Sequence, residues 1–113
     1  MELWRNQALF AENVSYLIQE INRQGLHCTF GDAYRSKEQA ELNAKAGKGI
    51  VNSLHCDRLA IDLNLISDKG VYLTAKEFYA PFGSFWKKLS PYNKWGGDFK
   101  TLVDSGHFEM GKN

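Results

Sequence analysis

The sequence of 113 residues contains little of what marks several specialised protein classes. Its 14 basic and 13 acidic residues leave a formal net charge of +1, so electrostatics gives no case for a nucleic-acid or polyanion binder. No apolar run approaches membrane-spanning length, and there are no internal repeats or low-complexity segments. We therefore expect a globular protein that neither binds nucleic acid nor inserts into a membrane.

Cysteine and proline are equally scarce, with two residues of each type. Cys28 and Cys56 are too few for a disulfide framework and form no CxxC pair, so we expect two free thiols and no thiolate zinc site. The first residues lack a basic stretch followed by an apolar one, so no signal peptide is visible. We expect synthesis in the cytoplasm, and any action outside it requires something else to carry the protein there.

The residues that are present suit one small domain with a real core, because 43% are hydrophobic and 13% are aromatic. An apolar stripe at helical spacing predicts a helix over residues 3 to 24, which Gly25 ends. Further patterns predict helices over 37 to 46 and from 74–77 on to 89, and strands over 26 to 30, 59 to 66, 71 to 73 and around 107 to 110. Together they indicate an α+β fold, in which helices flank a small antiparallel sheet.

Local signals mark where the second and third helices begin and break. Ser36 followed by Gln39 is a capping box, in which Gln39 reaches back to the cap residue. A second capping box covers residues 74 to 77, and Pro81 breaks or restarts the helix after it. Residues 47 to 52 form a flexible connection whose glycines lack the spacing of a phosphate loop.

The stretch of residues 53 to 63 contains the first candidates for chemistry. His55 and Asp62 are seven residues apart, and Asp62 lies within an apolar strand. Burying a carboxylate without a partner is costly, so a core aspartate is usually paired, hydrogen-bonded or bound to a metal. From these residues alone, a structural histidine–aspartate pair and a metal site both remain open.

A second histidine lies near the end of the chain, with a carboxylate on each side. His107 follows Asp104 by three residues and shares a predicted strand face with Glu109. Two histidines and one carboxylate, with a fourth position open to water, form a standard catalytic zinc arrangement. Asp104 can fold back at Gly106 to accept a proton, or it can cap the loop, and Glu109 is the competing base.

Two further motifs accompany these residues. Arg35 precedes the second helix, where a guanidinium and free helix amides can attract an anion, although the local sequence favours an ordinary surface arginine. Gly96 and Gly97 follow Trp95, and paired glycines there indicate close backbone approach or unusual dihedral angles.

In this order the motifs resemble the zinc peptidases of bacterial cell walls. That family includes the vancomycin-resistance-type D-Ala-D-Ala carboxypeptidases and dipeptidases and the L-alanyl-D-glutamate endopeptidases used as phage endolysins. The resemblance covers most of the chain and rests on these motifs: Ser53-x-His55-x6-Asp62, Asp104-x-x-His107, Tyr34-Arg35-Ser36 with Gln39, and Trp95-Gly96-Gly97-Asp98-Phe99 with His107-Phe108-Glu109. The last of them is similar to the C-terminal signature of the endolysin branch.

The resemblance implies a role for each residue that matches a family motif. His55, Asp62 and His107 would bind Zn2+. Asp104 would be the general base, in the place where the carboxypeptidase branch has glutamate. Arg35 would stabilise the oxyanion or a substrate carboxylate.

The remaining matches imply supporting roles, and one position departs from the family. Ser53 and Gln39 would hold substrate or support the site, and Trp95 with its glycines would shape the cleft wall. Where the family usually has glycine, in His-x-x-Gly-x-Ala-x-Asp, this sequence has Arg58. The turn before the strand must therefore form without the freedom of glycine, or Arg58 has another local role.

The function implied is hydrolysis of an amide bond in peptidoglycan stem peptides, and we expect the L-Ala–D-Glu bond. A D-Ala-D-Ala carboxypeptidase is the near alternative, and a non-catalytic zinc-bound phage structural or wall-binding module is the alternative of another class. We expect residues 1 to 113 to be a single catalytic domain acting as a monomer. A phage or prophage endolysin, released from the host cytoplasm through a pore, fits the lack of a visible signal peptide.

Overall fold

The computed structural model describes residues 2–47 and 53–111. The helices and strands of this part of the chain are α1 (Leu3–Arg23), β1 (His27–Phe30), α2 (Lys37–Lys45), β2 (Ala60–Ile66), β3 (Tyr72–Leu73), α3 (Lys76–Leu89), β4 (Asn93–Trp95) and β5 (His107–Met110). Two short 3-10 helices, Leu54–Asp57 and Gly96–Asp98, precede β2 and follow β4. No helix among the described residues is both long and apolar enough to cross a membrane.

The strands form one antiparallel sheet in the order β1-β2-β5-β4, and β3 also pairs with β2. The sheet and its helices confirm the predicted α+β fold. The β2–β5 register places Asp62 directly opposite His107 and Ala60 opposite Glu109. Because side chains alternate between the two faces of a strand, this register brings the carboxylate and the imidazole to the same face.

The core lies on the other face of β2. Leu59, Ile61, Leu63 and Leu65 are almost fully buried, as their alternation predicts. They pack with large side chains of the helices and of β5, namely Leu17, Ile21, Phe82, Trp86 and Phe108. Burial of each such side chain stabilises the fold by about 1.5–3 kcal/mol, so the register of β2 is firmly set.

Glycines and free thiols follow the sequence predictions. Gly25 and Gly47 follow α1 and α2 with φ of 81° and 74°, in the left-handed region that favours glycine. Except for Gly47, the connection predicted at residues 47 to 52 lies outside the described residues. Cys28 and Cys56 are both free.

The start and the middle of α3 differ from the prediction. Its N-terminal cap is Ala75, which makes no side-chain capping hydrogen bond, so the predicted box at residues 74 to 77 is wrong. Pro81 lies inside a continuous helix and does not break it. The buried side chains of Tyr79, Phe82 and Trp86 hold the helix on the core on both sides of the proline, which offsets the hydrogen bond that proline lacks.

Candidate metal centre

Three potential metal ligands converge on the face of the sheet opposite the core. His55, Asp62 and His107 each offer one ligand atom, and these atoms lie within 4.8 Å of one another. Asp62 Oδ1 is 3.4 Å from His55 Nε2 and 3.1 Å from His107 Nδ1. The fold thus brings together the three residues that the sequence motifs select, and their role as ligands stays a prediction.

Each of the three residues has its own structural support. His55 lies in the 3-10 helix Leu54–Asp57, and Ser53 begins this helix by accepting a hydrogen bond from the His55 amide (3.2 Å). Asp62 and His107 come from the paired strands β2 and β5. Ser53 is buried and binds backbone, so its position fits support of the site.

Both backbone polar groups of Asp62 are hydrogen-bonded to the segment that follows β1. The Gly31 amide donates to the Asp62 carbonyl (2.7 Å), and the Asp62 amide donates to the Asp32 carbonyl (2.8 Å). A β-carbon on Gly31 would lie 3.0 Å from Asp62 Cβ, and one on Gly106 would lie 2.6 Å from the Leu63 carbonyl oxygen. Glycine at both positions therefore lets the neighbouring segments reach the strand.

The polar atoms of the centre fit a metal ion. His55 is only 2% exposed, and its Nε2 faces Asp62 Oδ1 at 3.4 Å. His107 Nδ1 faces the same oxygen at 3.1 Å, so a ring nitrogen of each histidine and the carboxylate meet at one place. Two imidazoles and one carboxylate are the donor set that Zn2+ accepts in catalytic sites.

The groups also shift each other's protonation. Burial would raise the pKa of Asp62, but hydrogen bonds from His107 and His55 outweigh it and lower the pKa to about 2. Burial would lower the pKa of His107, but hydrogen bonds to Asp62 and Glu109 raise it to about 9. At neutral pH the metal-free centre therefore holds an ionised Asp62 beside a protonated His107.

Asp104 lies beside this centre at an open cleft of about 530 Å³. Residues that line the cleft include Asp62, Asn64, Thr74, Val103 and Asp104. Asp104 Oδ1 accepts from the Gly106 amide at 3.2 Å, so the chain folds back at Gly106. Burial, followed by the charge of Asp62, raises the pKa of Asp104. A carboxylate with a raised pKa is a stronger proton acceptor.

Trp95 and Gly96 support the loop that carries Asp104. The Trp95 indole is 5% exposed, and its Nε1 donates to the Ser105 carbonyl (2.7 Å). A β-carbon on Gly96 would overlap the Asp104 carbonyl oxygen and would lie 2.7 Å from His107 Cβ. Gly96 thus marks close backbone approach, Gly97 leaves room for the Trp95 ring, and buried Trp95 supports the loop from behind.

Arg35 is held near the centre by Asp32, a partner that the sequence did not single out. The Arg35 Nε and Nη2 atoms both donate to Asp32 Oδ2, at 3.2 and 2.8 Å. The Arg35 amide donates to the His55 carbonyl (3.3 Å), so the segment packs against the candidate ligand. The Arg35 side chain is 14% exposed, which differs from an ordinary surface arginine.

The capping box predicted at the start of α2 is half right. Ser36 caps the helix as predicted, but the Gln39 side chain donates to Asn43 (2.8 Å) instead of reaching back to the cap residue.

Arg58 occupies the position where the family usually has glycine. It ends the 3-10 helix in the left-handed conformation with φ of 56°, and its guanidinium lies 4.1 Å from the Tyr34 ring centroid. Arg58 thus takes up the glycine-like conformation itself and has a stacking partner.

Comparison with known proteins identifies the family. A family model described as D-alanyl-D-alanine carboxypeptidase matches residues 46–110. The chain belongs to this family. Membership makes it a zinc-dependent peptidase of the peptidoglycan-hydrolase class and confirms the resemblance to this family, although the motif at residues 34 to 39 lies before the matched residues. No curated protein matches the sequence.

Two solved structures share the fold of this D-alanyl-D-alanine carboxypeptidase family member. The Serratia marcescens L-Ala D-Glu endopeptidase ChiX matches with a TM-score of 0.69 and 23% identity, over 84% of this chain and 75% of that chain. A mutant of the vancomycin-resistance D,D-pentapeptidase VanY from a VanB-type cassette, in complex with Zn(II), matches with a TM-score of 0.59 and 17% identity. The second match covers 89% of this chain and 70% of that chain.

Proposed function

We propose that this peptidase cleaves the L-Ala–D-Glu bond of peptidoglycan stem peptides, with Zn2+ held by His55, Asp62 and His107. The observation that carries the proposal is the convergence of these three donors within 4.8 Å beside the cleft that contains Asp104. The Trp95–Phe99 signature, which resembles the endolysin branch, and the fold likeness to ChiX favour the endopeptidase activity. The proposal treats residues 1 to 113 as one catalytic domain.

The chain's own residues have distinct parts in this reaction. When bound, Zn2+ supplies Lewis acidity, which polarises the scissile carbonyl and makes water acidic enough to react at neutral pH. Asp104 accepts the proton of the attacking water and delivers it to the leaving amine, a role that its raised pKa supports. Arg35, oriented by Asp32, offers a cation for the developing oxyanion or for a substrate carboxylate.

D-Ala-D-Ala carboxypeptidase activity is the second candidate, because the description of the matching family names it. Digestion of purified muropeptides followed by mass spectrometry separates the two. A new N-terminal D-Glu supports the endopeptidase, whereas release of terminal D-Ala supports the carboxypeptidase. Digestion that leaves the L-Ala–D-Glu bond intact would contradict the proposed cleavage site. His55→Ala is the inactive control, and metal analysis should find that this variant lacks zinc.

The biological setting belongs to the same proposal. We infer that the protein acts as a monomeric endolysin of phage or prophage type, made in the host cytoplasm and admitted to the wall through a pore. Expression in a bacterial cytoplasm should leave the cells intact until a pore-forming protein is induced, and lysis should then follow. Lysis by the protein without any pore would contradict this route, and His107→Ala is the matched control.

A further inference from the structure

Glu109 lies on the opposite side of the His107 ring from Asp62. Glu109 Oε1 is 2.7 Å from His107 Nε2, while His107 Nδ1 is 3.1 Å from Asp62 Oδ1. His107 and Glu109 are two positions apart on β5, so both side chains stand on the same face of the sheet. The ring is therefore held by both nitrogens, one against each carboxylate.

We propose that Glu109 is a positioning residue that orients His107 and sets its tautomer for metal binding. The inference rests on the proposed zinc site. A neutral imidazole has one N–H and one nitrogen lone pair. A carboxylate beside Nε2 accepts the N–H there and leaves the lone pair on Nδ1, the nitrogen that faces Asp62.

The positions of Asp104 and Glu109 favour different roles for these two carboxylates. Asp104 and Asp62 line the open cleft, and Glu109 is not among the described residues that line it. The Glu109 side chain is 16% exposed, and its Oε1 already accepts from the ring. A base must reach the attacking water, so the cleft position favours Asp104, and the ring contact gives Glu109 a different task.

His55 and His107 differ in the contacts that fix their rings. His55 is 2% exposed and fixed by the capped 3-10 helix, and its Nδ1 has no partner among the described residues. His107 is more exposed, at 12%, and Glu109 supplies the contact that fixes the ring. Loss of the Glu109 carboxylate should therefore act through one ligand, His107.

The first test is the Zn(II) dissociation constant of the full chain, measured by competition with a chelator. Glu109→Ala should weaken zinc binding by about 10- to 100-fold, as expected for loss of an outer-shell partner. Glu109→Gln keeps an acceptor oxygen for the ring, so it should restore most of the affinity. Glu41→Ala, on the exposed surface of α2, is the matched control and should bind zinc like the wild type.

The second test is the ring state of His107, read by 15N NMR of the zinc-loaded chain. The wild type and Glu109→Gln should show the proton on Nε2, and Glu109→Ala should show a broadened or mixed tautomer. Wild-type zinc affinity and tautomer in Glu109→Ala would overturn the inference. So would Glu109→Gln that binds zinc as weakly as Glu109→Ala, because an acceptor oxygen beside Nε2 would then not restore the ring.

The outcomes also separate this inference from the proposed function. A wild type that binds zinc but cleaves no wall peptide defeats the proposed reaction, while the effect of Glu109→Ala on affinity still decides the positioning role. A wild type that cleaves the L-Ala–D-Glu bond, with zinc affinity unchanged in Glu109→Ala, defeats the positioning role alone. A wild type that binds no zinc defeats both.

Discussion

Arg58 affects the stability of the fold in two opposing ways, through its backbone conformation and through its side chain. Its φ of 56° lies in the left-handed region, where a residue with a β-carbon is disfavoured by about 1–2 kcal/mol. Its guanidinium stacks on Tyr34, a contact that contributes about 0.5–1 kcal/mol at an exposed site. The family's usual glycine avoids the cost and forgoes the stacking.

Replacing Arg58 by alanine and by glycine should separate these two terms. Arg58→Ala loses the stacking and keeps the unfavourable dihedral angle, so we expect a loss of about 0.5–1 kcal/mol in the free energy of unfolding. Arg58→Gly should be more stable than Arg58→Ala by about 1 kcal/mol, because glycine adopts this conformation without strain. Urea denaturation of both variants is the measurement. An alanine variant as stable as the glycine variant would show that the left-handed conformation carries no cost.

Asp104 carries the proton-transfer role in the proposed reaction. Asp104→Asn keeps an oxygen that can accept from the Gly106 amide, but an amide does not take up the proton of water. We expect zinc content to stay at the wild-type level and kcat to fall by about 10²–10⁴-fold. Metal analysis and muropeptide turnover of the same preparation check this. Wild-type turnover in the variant would remove Asp104 from the mechanism.

The contact between the 3-10 helix Gly96–Asp98 and the loop before β5 leaves no room for a side chain. A β-carbon on Gly96 would collide with the Asp104 carbonyl, so Gly96→Ala must displace the loop that carries Asp104. We expect a loss of about 1–3 kcal/mol in stability and a loss of turnover larger than the loss of folded protein. Thermal unfolding and kcat of Gly96→Ala are compared with those of Gly111→Ala.

Gly111→Ala is the matched control because its β-carbon would meet only an ordinary contact, 3.7 Å from the Tyr92 carbonyl oxygen. It should leave both stability and turnover close to those of the wild type. Equal effects of the two substitutions would show that the Gly96 contact does not position the loop.

Elements with a strong apolar period are predictable from the sequence. The helix α1 buries most of its apolar stripe, and β2 buries the alternating residues that its period selects, because burial of those side chains decides the conformation. The start of α3 is not predictable in this way. Residues 74 to 77 carry the letters of a capping box, but tertiary packing of Tyr79, Phe82 and Trp86 decides where the helix lies.

The centre shows the same division between pattern and packing. His55, Asp62 and His107 are selected by the motifs that resemble the family, since the residues alone leave a structural pair and a metal site open. The pairing of β2 with β5 then places Asp62 opposite His107. The contact of Glu109 with His107 Nε2 depends on side-chain rotamers, which a sequence pattern does not specify. The Asp32–Arg35 pair likewise depends on the turn after β1, so the sequence names Arg35 without its partner.

The stability of the metal-free protein should depend on pH at both ends of a defined window. The pKa of His107 is raised from 6.5 to about 9, so its contribution is fully present below pH 6.5 and is lost as pH rises through about 9. The pKa of Asp62 is lowered from 3.8 to about 2, so its contribution is present above pH 3.8 and is lost as pH falls through about 2.

We therefore expect the EDTA-treated chain to have a Tm plateau between pH 3.8 and 6.5, with a decline on either side. Thermal unfolding across both pKa values checks this. Added Zn2+ should raise Tm more at pH 9 than at pH 6, because the cation competes with the proton on His107. A zinc effect that shrinks as pH rises would contradict the assignment of His107 as a ligand.

The pairing of β2 with β5 has a consequence for how the chain stays folded. Asp62 and His107 are 45 positions apart, and a metal bound to both would act as a reversible cross-link across that span. Closing a loop of this length removes about 4 kcal/mol of chain entropy from the unfolded state, on the scale used for disulfides. The two free thiols provide no such tie. A metal ion bound in the centre would thus also act as the cross-link that Cys28 and Cys56 do not form.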